Sequence, residues 1–332
     1  MSQRTRFSCA WLALVLLIGC SAHDALLGPP WKAVVEQDHV LVGRIWNTKE
    51  RRFLTPQALV LEVAASRFLI LGEKHDNPDQ HRIQAWIIGE LVSETRRPAV
   101  AFEMFSPDQL PALRDHLASH PRDAVGLARA VGWKTSGWPD FALYRPVVEA
   151  ALQADLKIYP ANLSHVELDA LRDGDFDALE ESFVRRFGLD QPLSTERYAI
   201  LAEDIRESHC GYVSGAAIPP MIEVQRGRDA RMAQSLLDGA QRDGIVLIAG
   251  AGHARRDGGV PTYLVLEEPE AKISSVALME VESGANEPVD YLDGMRTSAF
   301  DYLWFTPRVD DVDPCEKFRE QLEKLDTREP TR

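Results

Sequence analysis

Apolar residues fall along this chain in blocks whose spacing switches between strand and helix. "RFLILG", "PAVAFEMF", "KIYPAN" and "GIVLIAG" are short, mostly apolar runs, the pattern of strands buried on both faces. Between them, "DQHRIQAWIIGELVSETR" sets Ile83, Trp86, Ile87 and Leu91 on one face of a helix, and "FALYRPVVEAALQADL" is helical too. "TPQALVLEVAAS" carries Thr55 where an N-cap belongs and Pro56 at the first helical position. Two helices are expected within residues 107–131, and one or two within 164–187. "HVLVGRIW", "VPTYLVL", "ISSVALMEVE" and "DYLWFTP" read as further strands.

Strands separated by helices predict an α/β fold, a mostly parallel sheet with helices on both faces. Residues 165–240 are nearly all helical, broken by "GYVSGAAIPP", and predict a helical insertion over the C-terminal strand edge. The α/β domain is expected over residues 39–310, followed by a charged tail at 311–332, helical from Pro314. No segment recurs at a fixed period.

The N-terminus has a different character. Arg4 and Arg6 precede an apolar run from Trp11 to Ile18, well short of the ~20 residues that span a bilayer, which describes a secretory signal. "LIGC" resembles a lipobox, so residues 1–19 would be removed, Cys20 lipidated, and residues 20–38 left as a tether. The alternative is an ordinary signal peptide with an incidental cysteine. Ser21, where an Asp would signal inner-membrane retention, favours the outer membrane, facing the periplasm or the surface. Removing residues 1–19 takes away two arginines and no acid, so the formal charge moves from −14 to −16. A chain this acidic offers no footprint for nucleic acid, and without a polybasic stretch its membrane contact falls to acyl chains. With Cys9 lost and Cys20 acylated, Cys210 and Cys315 either pair in an oxidising compartment or remain two buried thiols. No C-x-x-C or C-x-x-C-H occurs, which excludes zinc ribbons, thioredoxin-type chemistry and covalent haem attachment.

Polar chemistry collects just after the buried strands. "LILG" is followed by Glu73 and His75, "AVAF" by Glu103, "KIYPA" by Asn162, and "VLIAGAG" by His253. In a parallel sheet these ends share one edge, where ligands bind, so one common site is expected. Two imidazoles and two carboxylates suit acid–base chemistry or, through His75, His253 and Glu73, a divalent metal. Asp79 and His81 are expected to cap and begin the next helix, Asp79 as N-cap. There is no G-x-S-x-G and no Walker loop, and "GAGHARR" holds only two of the three dinucleotide-binding glycines. His116 and His120, beside Pro121, read as a solvated helix face. "ESHCGYVSGAAIPPMIEVQRGRDARM" is apolar in its middle and flanked by His209, Tyr212, Met221 and Arg228. It reads as a lid, a dimer contact, a pocket for a flat apolar ligand, or a plain helix pair cornered at Pro219 and Pro220.

"ILGEKHDNPDQH", "VAFEMF", "GWPDFALYRP", "PAN", His209, "QRGRDARMA", "IAGAGHAR" and "GGVP" occur in the order seen in the ChaN-like haem-binding lipoprotein family. The chain resembles that family over about residues 35–265. The family belongs to a wider superfamily with the Tiki metalloproteases and erythromycin esterases. The resemblance implies an α/β sheet with a helical insertion, in a lipoprotein that binds haem b through a tyrosinate. It also implies a ligand shared across a homodimer and a role in haem or iron uptake, with a TonB-type haem receptor as partner. Tyr144 sits in a matched motif, whereas Tyr212 is favoured as the ligand by its apolar surroundings; His209, Arg226 and Arg228 are the groups for the propionates. Glu73, His75, Glu103, Asn162 and His253 lie in motifs that the superfamily uses for metal-dependent or acid–base chemistry. A metal-dependent or acid–base hydrolase is therefore the alternative function, and a purely structural lipoprotein the plainest reading.

Overall fold

The computed structural model describes residues 30–175, 178–213, 215–292, 299–317 and 319–320. The expected signal peptide, Cys20 and most of the charged tail lie outside the described residues.

The short apolar runs pair into one sheet. It contains β1 (Ile45–Asn47), β2 (Arg52–Leu54), β3 (Phe68–Glu73), β4 (Ala99–Phe102), β5 (Ile158–Pro160), β6 (Ile245–Gly250), β7 (Ile273–Glu280) and β8 (Tyr302–Thr306). Their order is β2-β1-β8-β7-β3-β6-β4-β5. The strands from β8 to β5 are parallel, and β1 with β2 adds an antiparallel hairpin at one edge. One face is covered by α1 (Pro56–Val63), α2 (Pro78–Ser93), α3 (Leu110–Ser119), α4 (Ala124–Ala130) and α5 (Phe141–Gln153). The other carries α6 (His165–Arg172), α7 (Glu181–Arg186), α9 (Ile218–Gly239) and α10 (Val260–Glu267), while α8 (Thr195–Ser208) packs on α9. A short α11 (Pro314–Lys317) follows β8.

Strand alternation divides the core. Leu69 and Leu71 of β3 face α2 and α5, where Ile83, Trp86, Ile87, Val147 and Val148 are buried. Phe68 and Ile70 face Ala233 and Leu236 of α9 and Tyr263 and Leu264 of α10. All six β3 residues are buried, which is why this strand reads as a continuous apolar run rather than an alternation.

Several elements sharpen or correct the sequence-based expectation. Thr55 caps α1 as expected, accepting from the Ala58 N–H at 3.1 Å. The N-cap of α2 is Asn77, not Asp79: its side chain accepts from the Asp79 and Gln80 N–H groups, with Pro78 next in line. Asp79 is instead buried and accepts from the Lys32 and Ala33 N–H groups, fastening the incoming chain to the helix. "VPTYLVL" is the helix α10 rather than a strand. Pro261 suits a first helical turn, and Val260, Tyr263 and Leu264 at i, i+3 and i+4 bury one face. Only the end of "HVLVGRIW" is a strand, because Gly43, at φ +79°, turns the chain just before it.

The helical insertion has two parts. The C-terminal half of α9, with Ala230, Met232, Ala233 and Leu236, is a sheet-covering crossover helix. Its N-terminal half runs past the strand ends and makes a separate small core of Leu201, Ala202, Ile205, Val213, Ile218 and Ile222. Pro219 and Pro220 stand in the first turn of α9, where a missing N–H costs nothing.

Gly72 shows how tightly the strand edge is packed. A Cβ there would lie 2.8 Å from Ala254 Cβ and 2.9 Å from Ala251 Cα. Gly72→Ala is expected to cost about 1–3 kcal/mol by overpacking, read as a lowered urea midpoint. An unchanged midpoint would mean that the turn after β6 yields freely.

Candidate functional site

Odd positions of β3 face the α2/α5 layer, and Glu73 continues that series at the strand's end. Its carboxylate is buried among His81 of α2, Tyr144 of α5 and His75 of the following turn. Oε1 accepts from the Tyr144 hydroxyl at 2.7 Å and lies 3.1 Å from His75 Nδ1. His81 Nε2 is 3.2 Å from the same oxygen, close enough for charge attraction but off line for a hydrogen bond. Glu73 Oε2 has no hydrogen-bond partner among the described residues.

Glu103, just beyond β4, lies on the opposite side, under α9. Its Oε1 pairs with Arg228 Nη2 and lies 3.4 Å from His253 Nε2; its Oε2 accepts from the Gly250 N–H at 2.7 Å. Asn162, after β5, donates to the Glu103 carbonyl at 2.9 Å and accepts from Arg228 Nε at 3.3 Å. His253 Nδ1 is 2.6 Å from Asp229 Oδ1 and 3.1 Å from Gln225 Nε2. Gln225 and Asp229 are one helical turn apart on α9, so one helix face supplies both.

His75 joins the two halves. Nδ1 meets Glu73 and, at 3.2 Å, the Tyr144 hydroxyl, while Nε2 lies 4.0 Å from Glu103. The ring stands edge-on to Trp138 at 5.0 Å between centroids. A Cβ on Gly250 would be 3.0 Å from Nε2, so any larger residue there would have to push the imidazole aside by a few tenths of an ångström. The His75 side chain is 35% exposed, against 0–7% for Glu73, Glu103, His253, His81 and Asp229. It is the group of this network that most directly meets solvent.

The electrostatics follow from the pairing. Burial opposes ionisation of Glu73, but His81 and His75 outweigh it and hold the pKa at about 2. Burial also opposes the charge on Glu103, yet His253 and Arg228 keep its pKa well below the ordinary carboxylate value. For His253, burial is overcome by Glu103 and Asp229, which raise the pKa to about 9. His75 is raised in the same way, chiefly by Glu103 and Glu73 against burial. Asp229 is raised by burial, against the lowering effect of His253.

The five strand-end residues expected to meet therefore do so. A metal site at His75, His253 and Glu73 is not assembled: among the described residues no group of three or more His, Cys, Asp and Glu side chains is arranged to hold an ion. Glu73 and Glu103 face opposite layers and already hold their partners. Tyr144 is completely buried, and burial followed by the Glu73 charge pushes its pKa far up, so it braces Glu73 and faces no ligand. Arg228 is engaged by Glu103 and Asn162, and buried Arg226 by Glu223 and the Gly188 and Gln191 carbonyls. Neither guanidinium is free for a propionate. His209 ends α8, its Nδ1 held 2.7 Å from the Ile205 carbonyl, and Tyr212 stands half-buried in the turn that follows. His116 and His120 stack on each other at the end of α3, away from the site. Cys210 and Cys315 form a disulfide, with Cα atoms 5.6 Å apart.

Sequence reasoning missed His81, Gln225, Asp229 and Trp138. The i, i+4 spacing of Gln225 and Asp229 was a usable signal; the reach of His81 from α2 to β3 was not.

Folding raises the His253 pKa above the unfolded 6.5, so its stabilisation is complete below about pH 6.5 and fades as pH rises through about 9. Glu73, lowered from 4.5, contributes fully above about pH 4.5 and loses its contribution as pH falls toward 2. Urea midpoints are expected to drop between pH 6.5 and 9.5, by on the order of 2–3 kcal/mol in stability, and to flatten in His253→Gln. An equally steep decline in that variant would place the alkaline loss elsewhere.

A solved structure shares this architecture. ChaN of Campylobacter jejuni, whose structure shows cofacial heme binding, is 23% identical, covers 78% of this chain and 95% of its own, and superposes with a TM-score of 0.63. A mutant of the erythromycin esterase EreC is 15% identical over 76% of this chain and 95% of its own, with a TM-score of 0.44. The type III effector HopBA1 is 11% identical over 76% and 93%, with a TM-score of 0.42. No functionally curated protein matches the chain. The family described as "Haem-binding uptake, Tiki superfamily, ChaN" matches residues 59–264, more than half of the chain, and the chain belongs to that family.

Proposed function

We propose that the protein is a haem-binding lipoprotein of the outer membrane that serves haem or iron uptake. The observation that carries this reading is the family match, which spans both the strand-end site and the insertion with Tyr212. Tyr144 being buried, Tyr212 is the oxygen donor of choice for the iron. A phenolate is an established axial ligand type for ferric haem. Around Tyr212, Ala217 and Met221 are partly exposed apolar groups over the buried Val213 and Ile218, while Gly211, Gly215 and Ala216 are exposed. The residues fit a flat apolar ligand on one face. A second copy of the chain would cover the other, in keeping with the cofacial heme binding of Campylobacter jejuni ChaN. His209 is the remaining polar group at this turn for a propionate. The absence of C-x-x-C-H removes covalent c-type attachment, and the family resemblance implies haem b. Lipidated Cys20 would hold the domain at the membrane through the chain that precedes Lys32, where Asp79 fastens it to the domain, in reach of a TonB-type receptor.

Titration of hemin into the purified chain is expected to give a saturable Soret shift and a hemin-dependent dimer in sedimentation. Tyr212→Phe should weaken binding at least tenfold, whereas Tyr144→Phe should lower stability and leave the Soret titration intact. A titration that never saturates, or one unchanged by Tyr212→Phe, removes this reading.

One observation favours acid–base hydrolysis as a second reading. His75 Nδ1 is held by Glu73, while its Nε2, on a side chain that meets solvent, has no hydrogen-bond partner among the described residues, the arrangement of a proton-transferring imidazole. Turnover of an ester or amide panel, lost in both His75→Ala and Glu73→Gln, would support it. No turnover by the wild-type chain counts against it.

A further inference from the structure

Beyond β8 the chain becomes a strap across the site. The Pro307 carbonyl accepts from Asn77 Nδ2 at 3.0 Å, and the Val309 N–H donates to Glu280 Oε1 at 3.0 Å. Lys317 Nζ then pairs with Asp76 at 3.2 Å and Asp310 at 2.6 Å. Asp76 and Asn77 belong to the turn between β3 and α2 that carries His75. In the same short helix as Lys317, Cys315 is bonded to Cys210, which opens the turn carrying Tyr212. α11 therefore touches both the His75 turn and the Tyr212 turn, one through charge and the other through a covalent bond.

The choice of residue at position 210 points the same way. The Gly211 N–H donates to the Arg206 carbonyl at 2.9 Å and the Cys210 N–H to the Glu207 carbonyl at 3.0 Å, the paired bonds of a Schellman ending. Cys210 occupies its left-handed position at φ +56°, where glycine is usual. A cysteine there carries a backbone cost that its cross-link accounts for. The insertion tip also rests on its own small core and on ties from α8 that include Arg197 to Thr262 at 3.1 Å and Asp204 to Arg255 at 3.7 Å. They reach Thr262 in α10 and Arg255 just after His253, not the His75 turn.

We propose that the Cys210–Cys315 disulfide is a redox-operated latch: oxidised, it holds the Tyr212 turn against the His75 turn; reduced, it frees the tip and speeds ligand exit. The ligand part rests on the haem reading, while the motion does not. In the opening step a dithiol reductant attacks the disulfide through a mixed disulfide and supplies two electrons. Cys210 and Cys315 each leave as a thiol with one proton, and the reductant ends as its own disulfide. Reoxidation reverses the step.

Hydrogen exchange of the full chain, before and after dithiothreitol and in Cys210→Ser/Cys315→Ser, tests the motion. Amides of residues 205–213 are expected to exchange at least tenfold faster once the bond is gone, while β3 and β6 amides change little. Lys317→Ala, which keeps the disulfide, should give a smaller rise at the same amides and serves if the serine variant folds poorly. Equal exchange in oxidised and reduced protein, or a uniform rise across the sheet, overturns the latch. Transfer of bound hemin to apomyoglobin should speed up at least fivefold on reduction; an unchanged rate overturns the gating of the ligand. Should the tip loosen while hemin never binds, the haem reading fails and the latch stands.

Discussion

Two carboxylates buried at the ends of parallel strands are the constraint on which the rest of this site depends. An ionised carboxyl group taken out of water costs several kcal/mol unless cations and hydrogen bonds replace its hydration. Glu73 and Glu103 are both essentially fully buried, so the fold must bring such partners to each. Strand alternation sends them to opposite layers, and each layer answers with its own helices. α2 and α5 bring His81 and Tyr144 to Glu73; α9 brings Arg228 to Glu103, and the turn after β6 brings His253. The arrangement of helices over the strand edge is thus also the arrangement that keeps two charges in the interior.

His75 gains its position from this opposition. It sits where the two halves meet, bonded to one carboxylate and near the other, and it retains contact with solvent. The same turn is gripped from above by Lys317 through Asp76, so the edge site and the insertion tip belong to one continuous assembly closed by the disulfide. The site thus has a buried charged floor and a cross-linked roof with a small core of its own. The floor draws its rigidity from the sheet. The roof is ordered by the small cluster around Leu201, Ile205 and Ile222, by the ties from α8 and by the disulfide.

Much of this was legible in the chain itself. The strands that end in Glu73, Glu103, Asn162 and His253 announce themselves as apolar runs, and a parallel sheet leaves their ends no choice but a common edge. Thr55 and the break at Pro219 were equally readable, because caps and prolines act locally. "VPTYLVL" misled because β-branched residues fit either a strand or a buried helix, and only the packing of Tyr263 and Leu264 against α9 decides between them. Asp79 misled for a related reason: it is a good cap, but Asn77 lies before Pro78 and takes that place, leaving Asp79 to tie down Lys32 and Ala33.

By itself, then, the sequence determined the class of fold, the edge on which chemistry collects and five of the residues that meet there, since these follow from periodicities within single elements. Only the tertiary structure decided how those residues divide: Tyr144 as the buried brace of Glu73, Arg228 as the counter-charge of Glu103, Asp229 behind His253, and Tyr212 on an open turn. Each of these roles depends on which face of which helix meets which strand end. That is a relation between segments up to 125 residues apart, as Glu103 and Arg228 are, and no local pattern encodes it.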